Sequence, residues 1–158
     1  MSVELETVNS YEVERGKPTP SKNHAIVQGN INFYLKLHYR EQFRVLPEVS
    51  LLLPEGPRVP DLAIFQPIAF DPMQDEVRME EVPLCAIEIL SPTQNLTELL
   101  EKAKDYFVAG VKSYWLVTPP LENVHVFSDS KDYRYFGKTE TLIDEQLGIE
   151  LPLKEVFV

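Results

Sequence analysis

Seven consecutive residues, Leu84-Cys85-Ala86-Ile87-Glu88-Ile89-Leu90, hold one charged group in an otherwise apolar run. A stretch that is apolar on both alternating faces is the pattern of a strand covered on both sides, in the middle of a sheet flanked by helices. Glu88 is therefore expected to be buried. Taking an ionised carboxylate out of water is costly even after the protein relaxes, so it persists only where a cation, a metal or strong donors answer it. One run thus asks for a layered α/β fold and marks the first place to look for chemistry.

At 158 residues the chain fits one domain, 1–158, long enough to bury a core without disulfides or metal staples. No low-complexity linker or internal repeat divides it. Its lone cysteine, Cys85, lies inside the apolar run and reads as a small buried hydrophobe. The start, Met1-Ser2-Val3-Glu4-Leu5-Glu6, has neither the basic residues nor the apolar stretch of a signal peptide, and no run approaches a membrane span. A soluble, cytoplasmic protein is the expectation.

A formal charge of -10 argues against a protein that coats nucleic acid non-specifically. The charge is uneven, however. Arg15, Lys17, Lys22, Lys36, Arg40 and Arg44 face one acid, Glu41, so this stretch carries about +5 and the rest about -15. It reads either as the solvated side of a helix or as a nucleic-acid footprint.

Val27, Ile31, Tyr34, Leu35 and His38 recur at helical spacing, predicting a helix over 22–40 with Lys36 and Arg40 outward. Residues 43–53 are strand-like, Pro54-Glu55-Gly56-Pro57 turns the chain, and a second strand runs from Asp61 through Leu62-Ala63-Ile64-Phe65, as in a hairpin. An acidic connection over 66–82 leads to the Glu88 strand. Asn95 with Glu98 three positions later signals a helix start, with a predicted apolar face of Leu96, Leu99, Leu100, Ala103 and Phe107 and a stop at Gly110. Ser113 to Thr118 reads as a strand ended by Pro119-Pro120. A meander follows at Val124 to Phe127 and Tyr133 to Phe136, then a short element near Leu153 to Val158.

Asp61 at the mouth of one strand, Glu88 within the next and Lys102 on the following helix form an acid-acid-lysine set. Two carboxylates on neighbouring strands suit a hard divalent cation such as Mg²⁺ or Mn²⁺, which delivers a water nucleophile and neutralises charge on a phosphodiester. Periodicity alone does not choose between Lys102 and Lys104, and a lysine beside an apolar stripe is usually a snorkelling surface group.

These residues belong to a longer pattern: Tyr11-Glu12, Gly16, Pro18-Thr19-Pro20-Ser21, His24, Pro60-Asp61, Glu88-Ile89-Leu90-Ser91-Pro92-Thr93, Lys102, Tyr106 and Gly110-Val111-Lys112-Ser113-Tyr114-Trp115-Leu116-Val117. With it the chain resembles, from Tyr11 to Phe157, the Uma-type family of restriction endonucleases, a branch of the PD-(D/E)XK nuclease superfamily. The resemblance implies an α/β restriction-endonuclease-like mixed sheet core flanked by helices, with a C-terminal β meander. Asp61 and Glu88 would be the two motif acids and, with the Ile89 carbonyl, the metal ligands.

The parent motif places its lysine two residues beyond the glutamate, where this chain has Leu90. The family takes its lysine from the following helix, which picks out Lys102. That residue lies about seven residues into the helix, roughly 10 Å along its axis, and a long side chain spans the return. Glu12 and His24 match the N-terminal pattern and would supply a further acid and a phosphate or water contact. Two positions depart from the family: Arg15 replaces an acid, and Glu98 replaces an aspartate.

The first expectation is a Mg²⁺-dependent endonuclease on DNA, working as a homodimer whose two basic strips meet the duplex. The alternative is an inactive nuclease fold serving as a binding or assembly module, which the acidic charge and Arg15 favour. A hydrolase built on His24, His38 or His125 with a serine is disfavoured, since no Gly-x-Ser-x-Gly elbow exists.

Overall fold

Ser21 starts the first helix by accepting the His24 N–H at 3.2 Å, and the resulting helix, α1 (Lys22–Tyr39), buries His24, Val27, Ile31 and Leu35. In this computed structural model, residues 17–158 are described. The predicted inner position His38 is exposed instead and stacks on half-buried Tyr34, ring centroids 4.1 Å apart. Lys36 and Arg40 do point outward.

The strands follow as β1 (Arg44–Pro47), β2 (Leu51–Leu53), β3 (Gly56–Arg58), β4 (Leu62–Phe65) and β5 (Cys85–Ile89). After helix α2 (Leu96–Ala109) come β6 (Ser113–Thr118), β7 (Asn123–Phe127), β8 (Tyr133–Gly137), β9 (Thr141–Asp144) and β10 (Ile149–Pro152). One six-stranded sheet runs β1-β4-β5-β6-β7-β8, and two small hairpins, β2–β3 and β9–β10, stand beside it. Only β5 and β6 pair in parallel in the main sheet; α2 is their crossover, as a parallel connection requires.

The strand expected over 43–53 is two strands. Glu48 adopts a left-handed φ of 49° and its N–H goes to the Asp61 carbonyl, so the chain leaves the main sheet after β1. The expected hairpin exists as the antiparallel β1–β4 pair, with Arg44 opposite Phe65. Inserted between them, β2–β3 turns at Pro54-Glu55, and Gly56 takes a φ of 119° that a side chain would strain. The 66–82 connection holds only a bridge from Leu51 to Met79 and leaves Phe70, Met73 and Val77 exposed. The β6-β7-β8 meander matches expectation, whereas the β9–β10 hairpin was not foreseen.

Side chains of the central strands divide by parity into two cores. Leu62, Ile64, Cys85, Ile87, Ile89, Trp115 and Val117 pack on α1 and the C-terminal hairpin. Ala63, Phe65, Ala86, Tyr114 and Leu116 pack on α2, which contributes Leu99, Ala103 and Tyr106. The face of α2 is therefore turned from the predicted one: Leu96 and Leu100 are exposed and Tyr106 is buried. Asn95 caps the helix through Thr97 N–H, and Gly110 ends it at a φ of 112°. Cys85 is buried, and among the described residues no helix is long and apolar enough to cross a membrane.

Candidate active site

Register sets the two acids side by side. Leu62 pairs with Ile87 across β4–β5, so one antiparallel step further Asp61 faces Glu88. Parity puts Glu88 with Ala86 on the α2 side of the sheet. Both acids are fully buried.

Glu88 meets α2 twice. The Tyr106 hydroxyl donates to Glu88 Oε1 at 3.2 Å, and Lys102 Nζ stands 3.8 Å from Glu88 Oε2. The turn of α2 explains why Lys102 and not Lys104 reaches the site. Lys102 flanks the inner face on the side of Tyr106, roughly 60° from Leu99 and half-buried, while Lys104 sits roughly 140° round from Leu99 and is exposed. With 16% of its side chain exposed, Lys102 is where the cluster meets solvent.

Described residues hold Asp61 from three directions. The Ile89 N–H donates to Asp61 Oδ2 at 2.7 Å, and His24 Nε2 stands 3.1 Å from the same oxygen, oblique to a directed hydrogen bond. His24 Nδ1 is buried with no hydrogen-bond partner. Asp61 Oδ1 takes the third contact, 2.7 Å from Lys17 Nζ. Burial by itself would raise the Asp61 pKa. The His24 contact and the Lys17 charge outweigh it and hold the carboxyl well below the usual range, so Asp61 is ionised.

Lys17 is the residue that sequence reading missed. Its ammonium also lies 3.4 and 3.3 Å from Glu88 Oε1 and Oε2, and its side chain is wholly shielded from water. Neither reading of the basic stretch, a solvated helix side or a nucleic-acid footprint, turns this ammonium inward. The signal that points to it is charge demand: two buried acids with Lys102 alone leave one negative charge unanswered.

Of the residues singled out from sequence, Asp61, Glu88, Lys102 and His24 converge. At Ile89 the group meeting Asp61 is the N–H. Glu12 and Arg15 lie outside the described residues. Among those described, no three His, Cys, Asp or Glu side chains gather as a metal-holding cluster.

Tyr106 is pushed well up in pKa by burial and then by the Glu88 charge, so it stays a neutral donor. Its ring stacks on Tyr114 at 5.7 Å between centroids, and Tyr114 donates to the Leu99 carbonyl. A third buried acid serves structure. Asp144 accepts from Ser113 Oγ at 2.9 Å, from Trp115 Nε1 at 2.8 Å and from the Gln146 and Leu147 N–H groups.

Among the described residues, a mixed sheet with a helix on each face and an acid pair and a lysine at its centre defines an α/β protein of the restriction-endonuclease-like class. The fold is shared with a structure titled "Crystal structure of a putative nuclease belonging to DUF820 from Anabaena variabilis ATCC 29413", at TM-score 0.76 and 20% identity over 89% of this chain and 83% of that one. Residues 9–154 match the model of the Uma2 family, described as "Putative restriction endonuclease", and the chain belongs to that family. The "cryoEM structure DrdV-DNA complex" aligns at TM-score 0.46 and 12% identity over 85% of this chain and 11% of that one, too slight a likeness to carry an argument. No curated protein sequence matches the chain.

Proposed function

We propose that this protein is a divalent-metal-dependent endonuclease that hydrolyses phosphodiester bonds of DNA, with Asp61 and Glu88 as metal ligands and Lys102 as the cation facing the reacting phosphate. The observation that carries this reading is the convergence of both carboxylates on one cation: three of their oxygens lie 2.7 to 3.4 Å from Lys17 Nζ. Such a hard, oxygen-only donor pair fits Mg²⁺ or Mn²⁺. When bound, the ion supplies an acidified water and charge neutralisation on the phosphodiester.

The protein's own groups prepare this site. The Ile89 N–H and Tyr106 hydroxyl fix one oxygen of each acid, so the pair keeps its orientation. Lys102, at the solvent edge, meets a phosphate oxygen or holds the attacking water as negative charge develops. His24, with one ring nitrogen against Asp61 and the other unpartnered, orients a water or a phosphate oxygen. Glu12 completes the acid set in this proposal. The exposed Lys22, Lys36 and Arg40 on α1 offer a basic strip for the duplex, doubled in a twofold dimer.

Nicking of supercoiled plasmid with Mg²⁺ or Mn²⁺, against a chelator control, tests the proposal. Asp61→Asn and Glu88→Gln should abolish nicking while the circular dichroism spectrum stays native; full activity in both variants overturns the assignment. A second reading, an inactive binding module, is favoured by Lys17, which already satisfies the acids. It is the outcome if purified protein cleaves no nucleic acid with either ion.

A further inference from the structure

The two acids of the site already share a cation, and it comes from the chain itself. Lys17 Nζ is 2.7 Å from Asp61 Oδ1 and 3.3 Å from Glu88 Oε2, with all three side chains closed to solvent. We infer that Lys17 occupies the seat of the divalent ion, so that metal binding is an exchange in which the ammonium leaves. The inference rests on the metal-dependent reading above and adds the residue that regulates it.

Geometry makes the two occupants exclusive. Mg²⁺ binds its oxygens at about 2.0–2.1 Å, and the oxygens it needs are those facing the ammonium. Two cations packed at that spacing in a buried site repel strongly.

Charge points the same way. Leaving His24 aside, the charged side chains gathered at the cluster among the described residues are Asp61, Glu88, Lys17 and Lys102, two of each sign. Adding a divalent ion to this set raises its charge by two, whereas exchange for Lys17 raises it by one. A bound phosphodiester cancels that one. The site thus favours metal and substrate together over metal alone.

The chain is also built for the ammonium, and not the acids, to move. Asp61 is pinned by the Ile89 N–H and Glu88 by the Tyr106 hydroxyl, both on the sheet-and-helix core. Lys17 lies ahead of α1, in a stretch without regular secondary structure where Pro18 and Pro20 have no N–H to give to a neighbour.

Two measurements on the whole chain test this. Mn²⁺ affinity is read by calorimetry for wild type, Lys17→Met and Asp61→Asn. Lysine acetylation of wild type is followed by mass spectrometry across the same Mn²⁺ titration. The expected results are Mn²⁺ binding on the order of tenfold or more tighter in Lys17→Met, lost in Asp61→Asn, and Lys17 shielded in chelator but acetylated as Mn²⁺ saturates. Should Lys17→Met fail to fold, the wild-type acetylation readout decides alone. Mn²⁺ binding that depends on Asp61 while Lys17 stays shielded overturns the exchange and leaves the metal site standing. No Asp61-dependent Mn²⁺ binding in any folded form overturns both.

Discussion

Tyr106 and Lys102 sit one turn apart on α2 and reach the same carboxylate: the hydroxyl at 3.2 Å from Glu88 Oε1, the ammonium at 3.8 Å from Glu88 Oε2. A single helix face thus supplies a neutral donor and a charge to a group the sheet has taken out of water. Tyr106→Phe removes the donor and keeps the ring against Tyr114. It should cost about 1–2 kcal/mol of stability in urea unfolding. An unchanged midpoint would show that the hydroxyl does nothing to hold Glu88.

The two lysines of α2 give a matched pair of variants. Lys102→Ala should lower metal-dependent nicking by on the order of a hundredfold, the scale of a lost charge-stabilising donor, while Lys104→Ala stays near wild type. Equal effects in a plasmid assay would mean that the inner placement of Lys102 has no catalytic consequence.

Asp144 should matter for folding and not for cleavage. Asp144→Ala strands the Ser113 hydroxyl and the Trp115 indole N–H in the interior and takes the acceptor from the part-buried Gln146 and Leu147 N–H groups. A loss of about 3–5 kcal/mol is expected, read as a lower denaturation midpoint. A loss under about 1 kcal/mol would contradict this account.

Burial lowers the His125 pKa, with Tyr133 and Tyr135 edge-on at 5.2 and 5.3 Å. The unfolded chain therefore takes up this proton first, near pH 6.5, and the folded chain only at lower pH. Stability is whole above that range and falls as the pH drops through it. His125→Gln should reduce the difference in melting temperature between pH 7.5 and pH 5.5. An identical difference in the variant would remove His125 from the cause.

Much of this architecture is legible in the sequence. The buried strand around Glu88, the acid at Asp61 and the lysine after the Asn95 cap all follow from apolar patterning, proline placement and the family motif. What escaped reading shares a physical reason. Lys17 stands in a Gly-Pro-rich stretch with no periodicity, so nothing local shows that its ammonium turns inward. Leu96 and Leu100 are as apolar as Leu99, so periodicity does not fix the phase of α2; the packing of Tyr106 on Tyr114 and its bond to Glu88 do. Glu48 breaks the predicted 43–53 strand through a backbone angle that its side chain does not announce.

Lys17 meets Glu88 across 71 positions of sequence, and Asp61 lies between them in the chain. Two like charges are thereby set opposite each other at the middle of the sheet, answered by Lys102 from α2 and by Lys17 from ahead of α1. Lys17 acts as a clasp: where it detaches with no metal to replace it, Lys102 still faces Glu88 while the charge Lys17 had answered is left bare between β4 and β5. Trimming the polypeptide through Lys17 would consequently loosen the heart of the molecule while leaving every described strand intact in sequence.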